Sequence, residues 1–477
     1  MRRYFNQSLL RFVLVFLLSQ VLIPAYKLEA QEVLPQDQRE NIWKAGLART
    51  VITPEEYMWM AGYAARDKPA EGKIQDLWAK ALALEDKAGH RVLLITTDVI
   101  GFSRDLSLSI CNQLMNTYNL ERKDIILSSS HTHSGPVMNF NLYGIYPPFD
   151  EEKVRQVRDY RKFIEEQILI VAERAINSMA SVRLSSGVGI ARFAVNRRES
   201  GWEGDIMYNP EVKGPSDHAV QVLKLSSLDG TPTAVIFGYS CHATSLSGYK
   251  WSGDYPGFAQ TEIEKDYPGI TAMFFAGFGA DQNPFPRKGI LETEQYGKEL
   301  AVAVEKVMKE PEKFLASSIQ TNYSEIELGI EPPPDEKELN QVIEKGADWE
   351  KRWAQVMQGK IAAGEKLPGT YPYYPVQTWR LGEQTLVVLG GEVVVDYAFK
   401  LRGLFGNDLM IMGYANDVMA YIPSERILKE EGYEGKTSMW AYGHPGSWLP
   451  GLEEKICNEV VKQINLIKTE SSEDSEK

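Results

Sequence analysis

The chain is poor in cysteine, in histidine and in clustered positive charge, and each shortage removes a class of function. Three cysteines in 477 residues cannot build a disulfide framework. Cys111 and Cys457 fall in helix-like stretches as core residues, and Cys241 directly precedes His242, facing the opposite side if that segment is a strand. None of the three is read as catalytic. The formal charge is −13 and no Lys/Arg-rich block occurs. Nucleic-acid binding rests largely on neutralising phosphates, so that class is excluded as a partner. No internal repeat is present, and no linker divides the chain into two cores.

What is present is an ordinary globular composition, 43% hydrophobic and 25% charged. The N-terminus opens with Arg2 and Arg3 and then runs from Phe12 to Ala25 almost without charge, before a Leu28-Glu29-Ala30 step suited to cleavage. That apolar run is short for a membrane span and has the flanks of a secretory signal. Residues 1–30 are therefore expected to be a signal peptide, leaving an exported protein, periplasmic or secreted, with no stable transmembrane anchor. An uncleaved N-terminal anchor is the alternative.

Beyond it, strand-like and helix-like stretches alternate. Residues 90–100 (HRVLLITTDVI), 124–135, 218–246 and 270–284 carry buried-strand patterns, with an Asp229-Gly230 turn signal inside the third. Residues 103–119, 151–180, 288–310, 336–364 and 448–468 have apolar residues at helical spacing. The pattern predicts one large α/β domain over 31–468, a mixed β-sheet core flanked by helices, followed by a solvated acidic tail at 469–477. A split near 315–375 is the alternative, and the Pro-rich brackets around 336–364 mark that stretch as an excursion or lid.

The chemistry-bearing residues are few enough to enumerate. Among six histidines, His131 and His133 stand one residue apart in SSSHTHSGP, and in an extended segment they point the same way. Such a pair supplies two metal ligands, or one ligand and one acid/base group, or simply two hydrogen-bonded histidines in a turn. His242 closes the apolar run AVIFGYSCHATS, and Glu392 interrupts the apolar run VVLGGEVVVDY. A buried carboxylate is costly unless paired or bound to a metal. Imidazoles with a carboxylate and an open position suit catalytic zinc. Tyr421, in NDVMAYIPSE, is by itself indistinguishable from a core aromatic.

Several of these motifs, taken in order, resemble one family. HTHSGP, VNRRE (195–199), SCHATSL (240–246), GGEVVVDYAFKLR and AYIPSERILKEEGYEG, with the opening GLARTVITPEEYMWMAGYA, are similar to the neutral, non-lysosomal ceramidases over about 45–435. The resemblance implies a neutral ceramidase-like fold and a Zn2+ held by His131, His242, Glu392 and Tyr421. It implies that His133, beside the metal, handles protons or binds substrate and that Arg197, next to Asn196, polarises the scissile carbonyl. Tyr433 would line the same pocket.

The chain also departs from that family. Ceramidases carry a serine in a G-D-x-S-P-N loop, whereas here the loop reads GFGADQNPFP (277–286), with Gln282 at the serine's place within one residue of slack. A glutamine amide cannot act as a covalent nucleophile, so Gln282 either contacts substrate or braces its loop. The C-terminal β-sandwich domain that ceramidases add is not expected here, since the closing stretch reads as a helix. The expectation is an exported, zinc-dependent, ceramidase-like hydrolase that cleaves an amide bond of an N-acyl lipid or related small molecule with zinc-activated water. A hydrolase of the same geometry acting on a glycoside or ester is the alternative, and a non-catalytic binding homologue the second. YPYYPVQTW (371–379) is noted as able to stack on sugars or cover an acyl chain. Asp254 is expected to cap the helix that follows it, Asp281 to orient a ligand histidine, and Asn416 and Asp417 to form a loop.

Overall fold

Eight strands form the main sheet of the computed structural model, which describes residues 41–138, 143–198 and 214–474. Across the sheet their order is Thr271–Ala276, Pro232–Tyr239, Ala219–Ser227, Ala180–Ile190, Trp43–Val51, Trp78–Glu85, Arg91–Thr97 and Ile125–Ser129. The outermost pair at each edge is parallel and every pair between is antiparallel, so the sheet is mixed. Parallel edges need crossover helices, and Arg104–Tyr118 and Asp254–Asp266 supply them. The free edges are not left bare. Gly413 N–H donates to Ala276 at one edge and Asn416 N–H donates to Leu127 at the other, so residues 413–416 bridge the two.

Both faces of this sheet are covered, which explains why its strands read as apolar runs rather than alternations. In Trp78–Glu85, Ala81 and Ala83 face the helical side, while Leu82 and Leu84 face a second sheet. That sheet runs in the order Ile319–Gly329, Thr370–Leu381, Gln384–Leu389 and Met410–Met412. Trp379, Leu386, Val388 and Met412 pack from it against Leu94, Ile126, Ile236 and Phe275. Each such side chain taken from water contributes about 1.5–3 kcal/mol before entropy is counted. The helix Leu452–Asp474 covers the second sheet's outer face, giving helix, sheet, sheet and helix layers.

Local rules account for the helices. Glu151–Asn177 buries Val157, Tyr160, Ile164, Ile168, Val171 and Ala175, one stripe at three- and four-residue spacing. Asp150 caps it by accepting the Lys153 N–H at 2.9 Å. It lies so close to the sheet that a Cβ at Gly46 would stand 1.8 Å from the Ala175 carbonyl oxygen.

Some expectations change. Residues 371–379 form part of the interior strand Thr370–Leu381 of the second sheet. Residues 336–364 form two helices, Glu336–Lys345 and Asp348–Ala362, broken at Gly346. The strands on either side of them pair with each other, and residues from Asn41 onward make one compact unit. The closing helix continues to Asp474 instead of giving way to a tail at 469, because no proline or glycine follows Gly451 to stop it. The expected signal, 1–30, lies outside the described residues. Among the described residues no helix is long and apolar enough to cross a membrane.

Candidate active site

The strand Ile125–Ser129 ends two residues before His131, which adopts a left-handed conformation with φ of 56°. The extended geometry expected for His131 and His133 is therefore replaced by a turn. It is held by the Thr132 hydroxyl, which donates to the Ser252 carbonyl at 2.8 Å and accepts the Ser134 N–H at 3.1 Å. The turn still brings both rings to one place, with the Nε2 atoms 3.3 Å apart. Left-handed backbone at a histidine is a local strain of the kind that gathers at functional sites.

His242 follows the strand Pro232–Tyr239 after a sharp turn and is anchored by its N–H to the Gln282 carbonyl at 3.0 Å. Cys241, beside it, is buried in the core on the helical side of the sheet. Glu392 and Tyr421 come from two two-residue strands that pair in parallel and in register, Glu392 opposite Tyr421. This close approach requires Gly391, whose φ is 73° and whose Cβ would meet the Ala420 carbonyl oxygen at 2.7 Å. The structure thus converges four distant segments. Glu392 Oε2 lies 3.2 Å from His131 Nε2 and 3.1 Å from His242 Nε2, and the Tyr421 hydroxyl lies 3.3 Å from His242 Nε2.

The chemistry of these contacts decides what they can hold. His131 Nδ1 faces the Ile100 carbonyl at 2.5 Å and His242 Nδ1 faces the Gly279 carbonyl at 3.1 Å. A carbonyl only accepts, so both Nδ1 atoms carry the proton and both Nε2 atoms present lone pairs. Two lone pairs and a carboxylate oxygen then point at one another inside the protein, which is repulsive without a positive charge between them. Protein zinc ligands sit about 2.0–2.1 Å from the ion, which places tetrahedral neighbours about 3.3 Å apart, the spacing found here. His131, His133 and His242 also form a group able to hold a metal ion, their ligand atoms all lying within 4.8 Å of one another.

Electrostatics agree. Burial works to raise the Glu392 carboxyl, and positive charge at His131 and His242 outweighs it and holds the group well below the usual carboxylate range, a charge that a cation between the neutral rings would supply instead. Burial brings His242 down to about 4 against the pull of Glu392. His133 is pushed well below its ordinary value by burial and by its two histidine neighbours, so it is a neutral base at physiological pH. Its Nδ1 is buried without a hydrogen-bond partner among the described residues. Tyr421 is raised by burial and by Glu392, and a cation beside it reverses that push.

Arg197 reaches this cluster from the strand Ala194–Asn196. Its Nη2 donates to the Tyr421 hydroxyl at 3.2 Å and its Nε donates to Glu434 at 2.6 Å. Glu434 also takes the Arg198 guanidinium and lies in a π-helical turn, Tyr433–Thr437, a distortion frequent at functional sites. Tyr433 is 42% exposed, with its ring 5.2 Å from that of Tyr421. Gln282 lies elsewhere. It is fully buried, its Oε1 accepts the Asp217 N–H at 2.8 Å, and its amide nitrogen donates to the Ser240 carbonyl. Both ends of that amide are engaged with backbone, which is the loop-bracing geometry. The adjacent Asn283 faces the cluster instead, 3.4 Å from Arg197 Nη1.

Asp281 does not touch a ligand histidine. It accepts the Val395 N–H and the Asn196 amide, tying the Arg197 and Glu392 segments together. Asp254 does not cap its helix. Its buried carboxylate accepts the N–H groups of Ser245, Leu246 and Tyr255, fixing the loop after His242. Asn416 does brace its loop, through Leu127 N–H and Gln377.

Two contacts carried no sequence signal. The Tyr442 hydroxyl donates to Glu392 Oε1 at 2.6 Å. Gly62, at φ 95°, backs onto His133, and a Cβ there would stand 2.4 Å from the imidazole. Gly62→Ala is expected to displace His133, costing about 1–3 kcal/mol of stability and cutting turnover by on the order of 10²-fold. Thermal unfolding alongside steady-state kinetics checks it, and an unchanged turnover removes His133 from the reaction.

Tyr146 and Tyr442 are shared between the cluster's surroundings and an adjoining cleft of about 560 Å³. Trp353, Met357 and Trp440 line it, with Arg352 and Lys360 at its rim, and Trp353 stacks on Trp440 with centroids 4.3 Å apart. The Asp348–Ala362 helix of the excursion is therefore one wall of the cleft.

The family model described as neutral/alkaline non-lysosomal ceramidase, N-terminal, matches residues 43–328. The chain is 23% identical over 494 residues to neutral ceramidase of Pseudomonas aeruginosa, spanning 87% of this chain and 71% of that protein. It is 23% identical to neutral ceramidase A of Dictyostelium discoideum, over 56% of this chain and 38% of that protein. Against the amoebal protein the match thus covers less than half the relative's length. The crystal structure of the Pseudomonas aeruginosa enzyme superimposes with a TM-score of 0.63 at 20% identity, over 84% of this chain and 72% of the other. A structure titled ceramidase complexed with C2 gives 0.63 at 19% identity, over 84% and 73%. At those identities the likeness establishes the mixed α/β fold.

Proposed function

This chain belongs to the neutral/alkaline non-lysosomal ceramidase family, a family of amide hydrolases, and from that premise we propose that it is an exported zinc hydrolase cleaving the amide of an N-acyl lipid. The observation that carries the reading is the meeting of two tautomer-fixed imidazole lone pairs with the Glu392 carboxylate. His131, His242, Glu392 and Tyr421 are the residues that would hold the metal. Zinc bound there supplies Lewis acidity, polarising a carbonyl and making water nucleophilic near neutral pH.

The chain's own groups do the rest. His133, neutral and buried with its Nε2 toward the cluster, accepts a proton from the attacking water and returns it to the departing amine nitrogen. Arg197, held in place by Glu434, stabilises the charge that develops on the carbonyl oxygen. Tyr442 and the Ile100 and Gly279 carbonyls orient the metal-binding groups. Tyr433 stands where it can contact substrate, and Gln282 is given a bracing role rather than contact with the substrate. The apolar, aromatic cleft beside Tyr442 favours an acyl chain over a sugar. Export rests on the N-terminal signal pattern.

A panel of fluorescent ceramide, N-acyl amino acids and aryl glycosides, assayed before and after chelation, tests the reading. Chelator-sensitive amide cleavage restored by zinc is expected. Glycoside cleavage alone, or activity indifferent to chelation, overturns it.

A further inference from the structure

A second cavity, of about 470 Å³, lies on the other side of Tyr442 and is bounded by Tyr371, Tyr373, His444, Arg104 and Asp417. Its chemistry centres on Asp417. That side chain is 4% exposed, and it receives a hydrogen bond from the Tyr371 hydroxyl. Among the described residues it forms no ion pair. Arg104, the cation lining the same cavity, is committed elsewhere: its Nη2 bonds Glu325 at 2.9 Å and its guanidinium lies 4.0 Å over the Tyr373 ring. Other buried carboxylates of the fold are neutralised or hydrogen-bonded several times over, as Glu434 is by Arg197 and Arg198 and Asp254 by three backbone N–H groups. Burial pushes Asp417 up to about 7, against the opposing pull of the Tyr371 hydrogen bond and of the Arg104 charge.

The walls suit the charge that is missing. The Tyr371 ring stands nearly perpendicular to those of Tyr373 and His444, at 86° and 88°, so the aromatic faces turn in different directions around the space. His444 adds no competing charge, because burial lowers its pKa and its Nε2 is engaged with the Met419 carbonyl. Aromatic faces beside a carboxylate are the surroundings that recognise organic ammonium ions.

We propose that this cavity is a binding site for an alkylammonium group, with the Asp417 carboxylate as its counter-ion and Tyr371 and Tyr373 as its aromatic walls. The ligand class is a protonated or quaternary amine carried on a small apolar stem, which Leu108 and Met419 accommodate. The site is separate from the proposed metal centre but shares Tyr442 with it, so an occupant lies one side chain away from Glu392. Nothing in it depends on the chain being a zinc enzyme.

Isothermal titration of the full chain with propylammonium chloride and tetramethylammonium chloride, with propan-1-ol as the neutral control, tests this at constant ionic strength and with chelator present. Saturable binding of a cation at least tenfold tighter than propan-1-ol is expected, weakened at least tenfold by Asp417→Asn. If that variant unfolds, Tyr373→Leu, at a position 46% exposed, carries the test and should weaken binding several-fold. Absence of binding, equal binding of the alcohol, or a folded Asp417→Asn protein with unchanged affinity overturns the proposal. Because chelator is present throughout, these results are independent of whether the metal assignment stands.

Discussion

Replacing His242 by alanine is expected to remove bound metal and turnover together. The ring supplies one of the lone pairs facing Glu392 Oε2 at 3.1 Å. Losing one of the four proposed ligands should lower turnover by on the order of 10³-fold or more, since groups that act as a unit fail as a unit. Metal content by elemental analysis should fall in step. Thermal unfolding reads folding separately, because loss of the imidazole and of the metal leaves the buried Glu392 carboxylate short of a positive partner. Gln282→Ala provides the contrast. It strips partners from the Ser240 carbonyl and the Asp217 N–H, so it should cost about 1–3 kcal/mol of stability. It should nevertheless retain most turnover and all of the metal. Equal collapse in the two variants would reverse the roles assigned to them.

Arg197→Leu should be the most damaging change outside the metal ligands. The guanidinium is 15% exposed and Glu434 only 4%, so the variant leaves a buried carboxylate short of one partner. Breaking a buried pair costs about 3–5 kcal/mol, and the low end applies here because Arg198 still reaches Glu434. The rate should fall by about 10²–10³-fold from loss of charge stabilisation at the carbonyl oxygen. Arg197→Lys should recover stability better than rate, since an ammonium cannot bond Glu434 and Tyr421 at once in the same fork. Chemical denaturation and steady-state kinetics on both variants separate the two effects. A leucine variant with near-normal turnover would leave Arg197 a purely structural residue.

The parts of this molecule that could be read from sequence are those whose signal is local. Runs such as HRVLLITTDVI become strands because both sheet faces are buried, and Glu151–Asn177 declares itself by its apolar stripe. His131, His242 and Glu392 stand out as polar residues set at the ends of, or inside, apolar runs, where burial demands a partner. What was hidden is what depends on distant chain. The left-handed turn at His131 is imposed by contacts to Ile100 and Ser252, over thirty and over a hundred residues away in sequence. Tyr442 looks like any core aromatic until Glu392, fifty residues earlier, lies against its hydroxyl. The strand Trp78–Glu85 is rich in alanine, a weak strand former, and is a strand because its neighbours on both sides pair with it. Gln282 and Asn283 show the limit most sharply. Adjacent residues in a short strand point to opposite sides, so one residue of register decides which amide faces Arg197.

Anomalous diffraction at the zinc absorption edge, on crystals of the purified protein, addresses the metal directly. A single strong peak within about 2.2 Å of His131 Nε2, His242 Nε2, Glu392 Oε2 and the Tyr421 hydroxyl oxygen is the expected result. A peak held by His133 in place of Glu392, or no peak among these residues in protein that turns over substrate, would contradict the proposed centre.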